Sequence, residues 1–325
     1  MSTKTQPLRI DGRFRNPPGA PRPGGGRGGF AGFLLRRALD RRRPEVPPGH
    51  VLPRPAVRDG LRFHEAGDAA TWLGHSSYLL RWGGQTLLTD PFLTSVAAPR
   101  PATSPRRFVP PALRPRELPP IDWLLLSHNH YDHFDAATLA RLPGRAEIRA
   151  VVPLGLGPAL RRLGYRQIHE LDWWQSVATA GITVTAVPAI HFSRRGAFDG
   201  NRTLWCGFVV ETADGRRLYF AGDTAYHPVF AEIGETFAPV DLALLPIGAY
   251  EPRAVMAGAH VNPEEAAAIA RDVGARTAAA MHWGTIVLTD EPPFEPPGRF
   301  RRALEQQGYR HDDIWIPAVG ETRKL

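Results

Sequence analysis

The sequence predicts a mixed α/β fold in which two β layers are covered by helices. Two observations carry the prediction. From about Ala70 onward, short apolar runs bounded by Gly, Asp and Pro outnumber the helical patterns, and the helical patterns fall between and after those runs. ATWLGHSSYLLRW (70–82) and GQTLLTDPF (84–92) read as two strands joined at a Gly-Gly turn, and IDWLLLS (121–127) as a buried strand. AATLARLPG (136–144) reads as a helix closed by Gly144. ITVTAVPAI (182–190), LWCGFVVET (204–212), RRLYFAGD (216–223) and DLALLPIG (241–248) add four strands. PEEAAAIARDVGA (263–275) should be helical, because Asn262 ahead of Pro263 and Glu265 is an N-cap signal and Gly274 a stop. No internal repeat is visible.

The N-terminal residues differ in kind. PPGAPRPGGGRGG and RRRPEVPPGH are too rich in Pro and Gly to hold regular structure over any length. Between them, GFAGFLLRRALDRRR (29–43) places Phe30, Leu34 and Ala38 on one side and Arg36, Asp40 and Arg43 on another. That pattern fits a short amphipathic helix, either on a membrane interface or packed on the main domain. Residues 1–60 hold twelve Arg and one Lys against four acids, a net of +9 in a chain of +8, so the rest is close to neutral. A basic excess confined to one end suits an arm that meets a phosphate-rich surface such as lipid, and does not suit a nucleic-acid face spread over the fold. The expected division is a basic, partly irregular arm over 1–60 and one domain over 61–325.

At 325 residues and 43% apolar composition the chain can bury a sizeable core. No run of about 18 uncharged apolar residues is present, and MSTKTQPLRIDGRF lacks the apolar block of an export signal. A cytoplasmic location is expected, with peripheral contact at the inner membrane face through the arm. The single cysteine, Cys206, excludes a disulfide framework or a cysteine zinc site within one chain.

The chemistry concentrates in LLLSHNHYDHFD (124–135), where His128, His130, Asp132 and His133 follow an apolar strand. Strand ends are where sites form in layered α/β folds. Two histidines one residue apart can turn toward one ion, and the following Asp and His can reach a second a few ångströms away. Further donors close later apolar runs: His191 after ITVTAVPAI, Asp223 after RRLYFAG and His282 after RTAAAM. One histidine at a strand end is usually a hydrogen-bonded surface residue; three such donors beside HxHxDH favour a metal centre.

This set resembles the metallo-β-lactamase superfamily, a four-layer αβ/βα sandwich, here carrying a Pro/Gly/Arg-rich N-terminal arm. TWLGHSS (71–77), LLTDPF (87–92), ELPPIDWLLLSHNHYDH (117–133), VPLGL (152–156), ELDWW (170–174), AGDTAY (221–226), LLPIGAYEPR (244–253), HVNPEEA (260–266) and MHWGT (281–285) narrow the resemblance. They are similar to the branch containing N-acyl-phosphatidylethanolamine-hydrolysing phospholipase D. The likeness runs from RFRNP (13–17) to Phe300. It implies two Zn2+ per chain, with Fe or Mn fitting similar ligands: one held by His128, His130 and His191, the other by Asp132, His133 and His282, and Asp223 bridging. It also implies a homodimer.

The implied reaction is hydrolysis of N-acyl-phosphatidylethanolamine to N-acylethanolamine and phosphatidic acid by attack of a metal-bridging hydroxide. Asp132 and Asp223 offset part of the cation charge. His260 is expected beside the substrate, bonding a phosphate oxygen or helping the leaving group. Asp90 and His75 are expected to orient ligand histidines, and Tyr131, Tyr226, Tyr250, Glu251 and Arg253 to line the cleft; the alternatives are a turn residue before Pro91 for Asp90 and a loop histidine for His260. The same ligand set would also serve another phosphodiester, a lactone or a thioester, and a non-enzymatic reading is a membrane-associated binding protein with structural metals. An RNA-processing enzyme of this fold inserts a large domain between the bridging Asp and the last His; 59 positions separate Asp223 and His282 here.

Overall fold

The computed structural model describes residues 4–22, 32–33, 43–98 and 104–325. The amphipathic helix expected over 29–43 lies almost wholly outside the described residues. Two seven-stranded sheets form the body. The first runs Thr322–Lys324, Ala69–Gly74, Ser77–Trp82, Gln85–Thr89, Trp123–Leu125, Arg149–Pro153, Gln167–Leu171 across its width. The second runs Ile314–Trp315, Ala275–Met281, Val240–Pro246, Arg217–Phe220, Gly207–Thr212, Ile182–Val187, Ser176–Thr179. Each begins with antiparallel hairpins and continues as parallel strands joined by crossovers. The halves thus share a plan that their sequences do not display.

Every residue of Ala69–Gly74 is buried, as is all but Asp241 of Val240–Pro246. A strand buried on both faces has apolar cover on both. That is the four-layer arrangement, with the sheets face to face and helices outside. Pro263–Asp272 lies against Val240–Pro246 and Ala275–Met281, flanked by Val229–Phe237 and Pro296–Gln306. Its start is fixed as expected: the Asn262 side chain accepts from Glu265 N at 2.8 Å, and Glu265 accepts from Asn262 N at 2.9 Å. Trp72, Trp82, Trp123, Trp173 and Trp205 are fully buried anchors of the core.

Two expectations change. ATWLGHSSYLLRW is a hairpin, because His75 takes a left-handed φ of 57° after Gly74 at 98° and reverses the chain between Gly74 and Ser77. AATLARLPG yields only Ala136–Leu139, started by the Asp135 side chain accepting from Ala137 N at 3.1 Å. Among the described residues no helix is long and apolar enough to cross a membrane.

Residues 4–22 lie along the body. Leu8–Ile10 pairs with Arg13–Arg15, Phe14 is buried in the main core, and Phe14 N donates to Asn201 O at 2.8 Å.

Candidate metal centre

The candidate donors sit on loops at the ends of strands from both sheets. His128 to His133 follow Trp123–Leu125; Asp223 follows Arg217–Phe220; His282 directly follows Ala275–Met281. Pro188 ends the strand before His191. Gly222 lets Asp223 approach: its φ is 62°, and a Cβ there would lie 2.6 Å from Ser127 Cβ.

His128, His130 and His191 form one group, and Asp132, His133 and His282 together with His75 form another, each with donor atoms within 4.8 Å of one another. In the first, His130 Nδ1 is 2.9 Å from His128 Nε2 and 3.2 Å from His191 Nε2. A tetrahedral zinc with Zn–N bonds of about 2.0–2.1 Å sets its ligand nitrogens about 3.3 Å apart. Asp223 Oδ2 lies between the groups, 3.1 Å from His133 Nε2, 3.2 Å from His282 Nε2, 3.8 Å from His191 Nε2 and 3.9 Å from His128 Nε2. Asp132 Oδ2 is 2.9 Å from His75 Nε2 and 3.6 Å from His133 Nε2.

The remote nitrogens of three rings are already committed. His133 Nδ1 donates to Asp90 Oδ2 at 2.7 Å, and His191 Nδ1 to Ala259 O at 2.8 Å. Ser127 Oγ donates to Asp90, so its lone pair accepts from His128 Nδ1 at 2.9 Å. Each bond turns Nε2 inward. There, His133 Nε2, Asp223 Oδ1, His260 Nδ1 and both His282 nitrogens are buried without a hydrogen-bond partner. Buried polar atoms are rarely left unpaired, and this donor set of imidazoles and carboxylates fits divalent cations.

The electrostatics point the same way. Burial pushes His75 and His130 down to about 3 and His191 to about 4, and lowers His128 and His260. These rings are neutral donors. At His282 burial opposes charge, but Asp223 and Asp132 outweigh it and hold the group at about 9; His133 is raised for the same reason. Asp132 and Asp223 stay ionised well below the usual range, because nearby imidazolium outweighs burial. Two buried carboxylates therefore demand positive charge, which protons on His133 and His282 supply where no cation is present.

A pH dependence follows with a definite sign. Seven rings, these five with His50 and His64, have folded pKa values below the unfolded value of about 6.5, so between there and about 4 the unfolded chain binds more protons. Metal-free protein should lose stability as pH falls below about 6.5; His133 and His282, both raised, act in the opposite sense, their contribution being complete below about 6.5 and lost as pH rises through their folded values, about 9 for His282. Calorimetry of chelator-treated protein from pH 7.5 to 4.5 checks this; a flat melting temperature would contradict it.

Of the other expected residues, Asp90 accepts from both Ser127 N at 2.7 Å and His133, at a strained φ of 28°. Asp90→Asn keeps the shape but removes the charge behind His133, and should cost about 10–100-fold in metal affinity or activity, measured by chelator competition. His75 is closer to the centre than expected, its ring 4.2 Å from that of His282. His260 Nδ1 is 3.8 Å from Asp223 Oδ2. Tyr131 instead donates to Arg195 O at 2.8 Å beneath the Arg195 guanidinium, and Tyr250 is buried with Arg299 over its ring. Tyr226 donates to Asp272 at 2.6 Å. Arg253 pairs with Glu265 and donates to His260 O at 2.8 Å, while Glu251 accepts from Arg253 N. Ser127 stands directly beside HxHxDH, whereas the backbone carbonyl of Ala259 leaves no local sequence signal. A pocket opens beside His75 and His282, walled by Ala249, Trp283, Ile286, Leu288 and Glu291.

The family described as Beta-lactamase superfamily domain matches residues 85–283. The chain belongs to the metallo-β-lactamase superfamily. Within it, the chain is 38% identical over 267 residues to N-acyl-phosphatidylethanolamine-hydrolyzing phospholipase D 1 of Caenorhabditis elegans, covering 78% of this chain and 75% of that one. An uncharacterised protein of Mycobacterium tuberculosis is 40% identical over 284 residues, 86% of this chain and 73% of that one. Isothiocyanate hydrolase from Delia radicum gut bacteria shares the fold at a TM-score of 0.61 and 22% identity, over 79% of this chain and 99% of that one. This metallo-β-lactamase-superfamily protein is a metal-dependent hydrolase whose His/Asp cluster could bind metal.

Proposed function

We propose that the hydrolase binds two divalent cations, zinc in the first instance, and cleaves N-acyl-phosphatidylethanolamine to N-acylethanolamine and phosphatidic acid. One observation carries the two-cation reading: a single carboxylate oxygen of Asp223 lies within 4 Å of imidazole nitrogens from both donor groups. The lipid is supported by the 38% identity to the nematode phospholipase. His128, His130 and His191 would hold one cation, Asp132, His133 and His282 the other, and Asp223 both. Such cations supply Lewis acidity, activating water at neutral pH and offsetting charge on a phosphodiester.

The chain's own groups do the rest. Five imidazoles against two carboxylates leave the cation charge only partly neutralised, so an anionic phosphodiester is drawn in. His260, held neutral by burial, offers a hydrogen bond to a phosphate oxygen or to the departing alkoxide. Asp90 and Ser127 keep His133 and His128 in the tautomers that face inward. The basic residues of segment 1–60 would hold the protein against anionic lipid at the cytoplasmic membrane face.

The test is a mass-spectrometric time course of zinc-loaded protein on the lipid in mixed micelles. Joint appearance of phosphatidic acid and N-acylethanolamine supports the reading. Intact lipid beside hydrolysis of a simple phosphodiester or lactone would keep the hydrolase and reject the lipid.

A further inference from the structure

The N-terminal segment reaches the donor cluster through one side chain. Asn16 Nδ2 donates to His191 O at 2.9 Å, and Asn16 Oδ1 accepts from His191 N at 3.2 Å. One amide thus satisfies both backbone groups of one residue, as a neighbouring strand would. Asn16 Oδ1 also accepts from Trp205 Nε1 at 3.1 Å, and that indole donates to Ala189 O at 3.0 Å, two residues before His191. His191 lies beyond Pro188 outside any strand ladder, so regular sheet bonding does not fix its backbone.

We propose that Asn16 is a positioning residue for the metal centre, holding the His191 backbone so that Nε2 meets His128 and His130. The side chain of His191 has one anchor, Ala259 O, which sets ring rotation but not where the residue sits. Ile190 is tied to Thr224 Oγ1 and to Ala225 N, and Asn16 adds the bonds to both backbone groups of His191 itself. The segment carrying it is itself fastened on both sides. Before Asn16, Thr5 N donates to Glu232 Oε2 at 2.9 Å and Trp174 Nε1 to Thr5 O at 2.7 Å. After it, Pro18 O is 3.2 Å from His227 Nε2. Phe14, two residues earlier, is buried in the core. Residues 4–22 are on this account part of the centre's framework, contributing a restraint from about 175 positions away in sequence.

The inference rests on the metal-centre reading, and the test separates the two. Metal affinity of full-length protein is measured by competition with a chromogenic chelator, alongside the visible absorption of the Co2+-substituted form, which reports ligand geometry without turnover. Asn16→Ala should weaken binding at the His128, His130 and His191 group by about 10–100-fold and alter the Co2+ bands. Asn16→Ser, a smaller polar replacement, should fall between. Leu160→Ala, a fully buried core residue on the helix Gly157–Arg162, is the packing control: it should lower the melting temperature while leaving affinity and Co2+ bands as in the parent. Parent-like affinity and bands in both Asn16 variants, or an equal loss of affinity in Leu160→Ala, would overturn the proposal. Failure of the parent to bind metal would instead sink the centre itself.

Discussion

Asp223→Ala should reduce hydrolysis by about 10³-fold or more, the upper end of what a single preorganised electrostatic group contributes, and lower the bound-metal content together with activity. Asp223 touches both donor groups, and its Oδ2 is also 3.8 Å from His260 Nδ1. No neighbouring carboxylate substitutes for it, since Asp132 approaches only the His75, His133 and His282 side and Asp90 is occupied with Ser127 and His133. The loop that carries it also ties in other strand ends: Ile190 N donates to Thr224 Oγ1 and Val261 N to Thr224 O, both at 2.8 Å. Asp223→Asn keeps those backbone ties and nearly the same volume while removing the charge, so it should be almost as inactive with a smaller change in melting temperature. Turnover and elemental analysis on both variants decide this. Retention of more than about a tenth of the parent rate in either would exclude the assigned role.

Chelation should abolish turnover and lower the melting temperature by roughly 5–10 °C. A ligand present at about 1,000 times its Kd stabilises the folded state by about 4 kcal/mol, and chains of this size shift by a few degrees per kcal/mol. The structural cause is the unpaired inward set of His133 Nε2, Asp223 Oδ1, His260 Nδ1 and His282, which without a cation must be satisfied by protons. Proton release on re-adding metal should accompany recovery, because His133 and His282 are raised by their carboxylate neighbours. Reconstitution with zinc, manganese or iron in turn, followed by scanning calorimetry and turnover, checks the loss and identifies the productive ion. Full activity after exhaustive chelation would refute metal dependence in this chain.

The fold and the donor set differ in how they are written in the chain. The candidate donors could be picked out because HxHxDH, His191, Asp223 and His282 each stand directly after an apolar run, and the structure brings them into groups that could hold metal. The capped helix from Pro263 was equally legible, since a capping box is local chemistry. The hairpin at His75 was not, because a left-handed φ on a non-glycine residue is held by distant partners: His75 N donates to Thr285 Oγ1 at 3.0 Å, and His282 N to His75 O at 3.0 Å. Tyr131 and Arg253 read as cleft residues because they flank motif residues, yet their side chains are committed to other partners.

By itself the sequence determined the layered α/β class, the metal-type donors and where along the chain they fall, because each depends on residue type and spacing within a few positions. The grouping of donors with Asp223 between them was implied by the resemblance; only the tertiary structure decided which nitrogen of each ring faces inward, that His75 joins the second group, and that the Asn16 amide bonds both backbone groups of His191. Those are relations between loops brought together from two sheets, and distances of about 3 Å across such separations follow from packing, which no local pattern encodes.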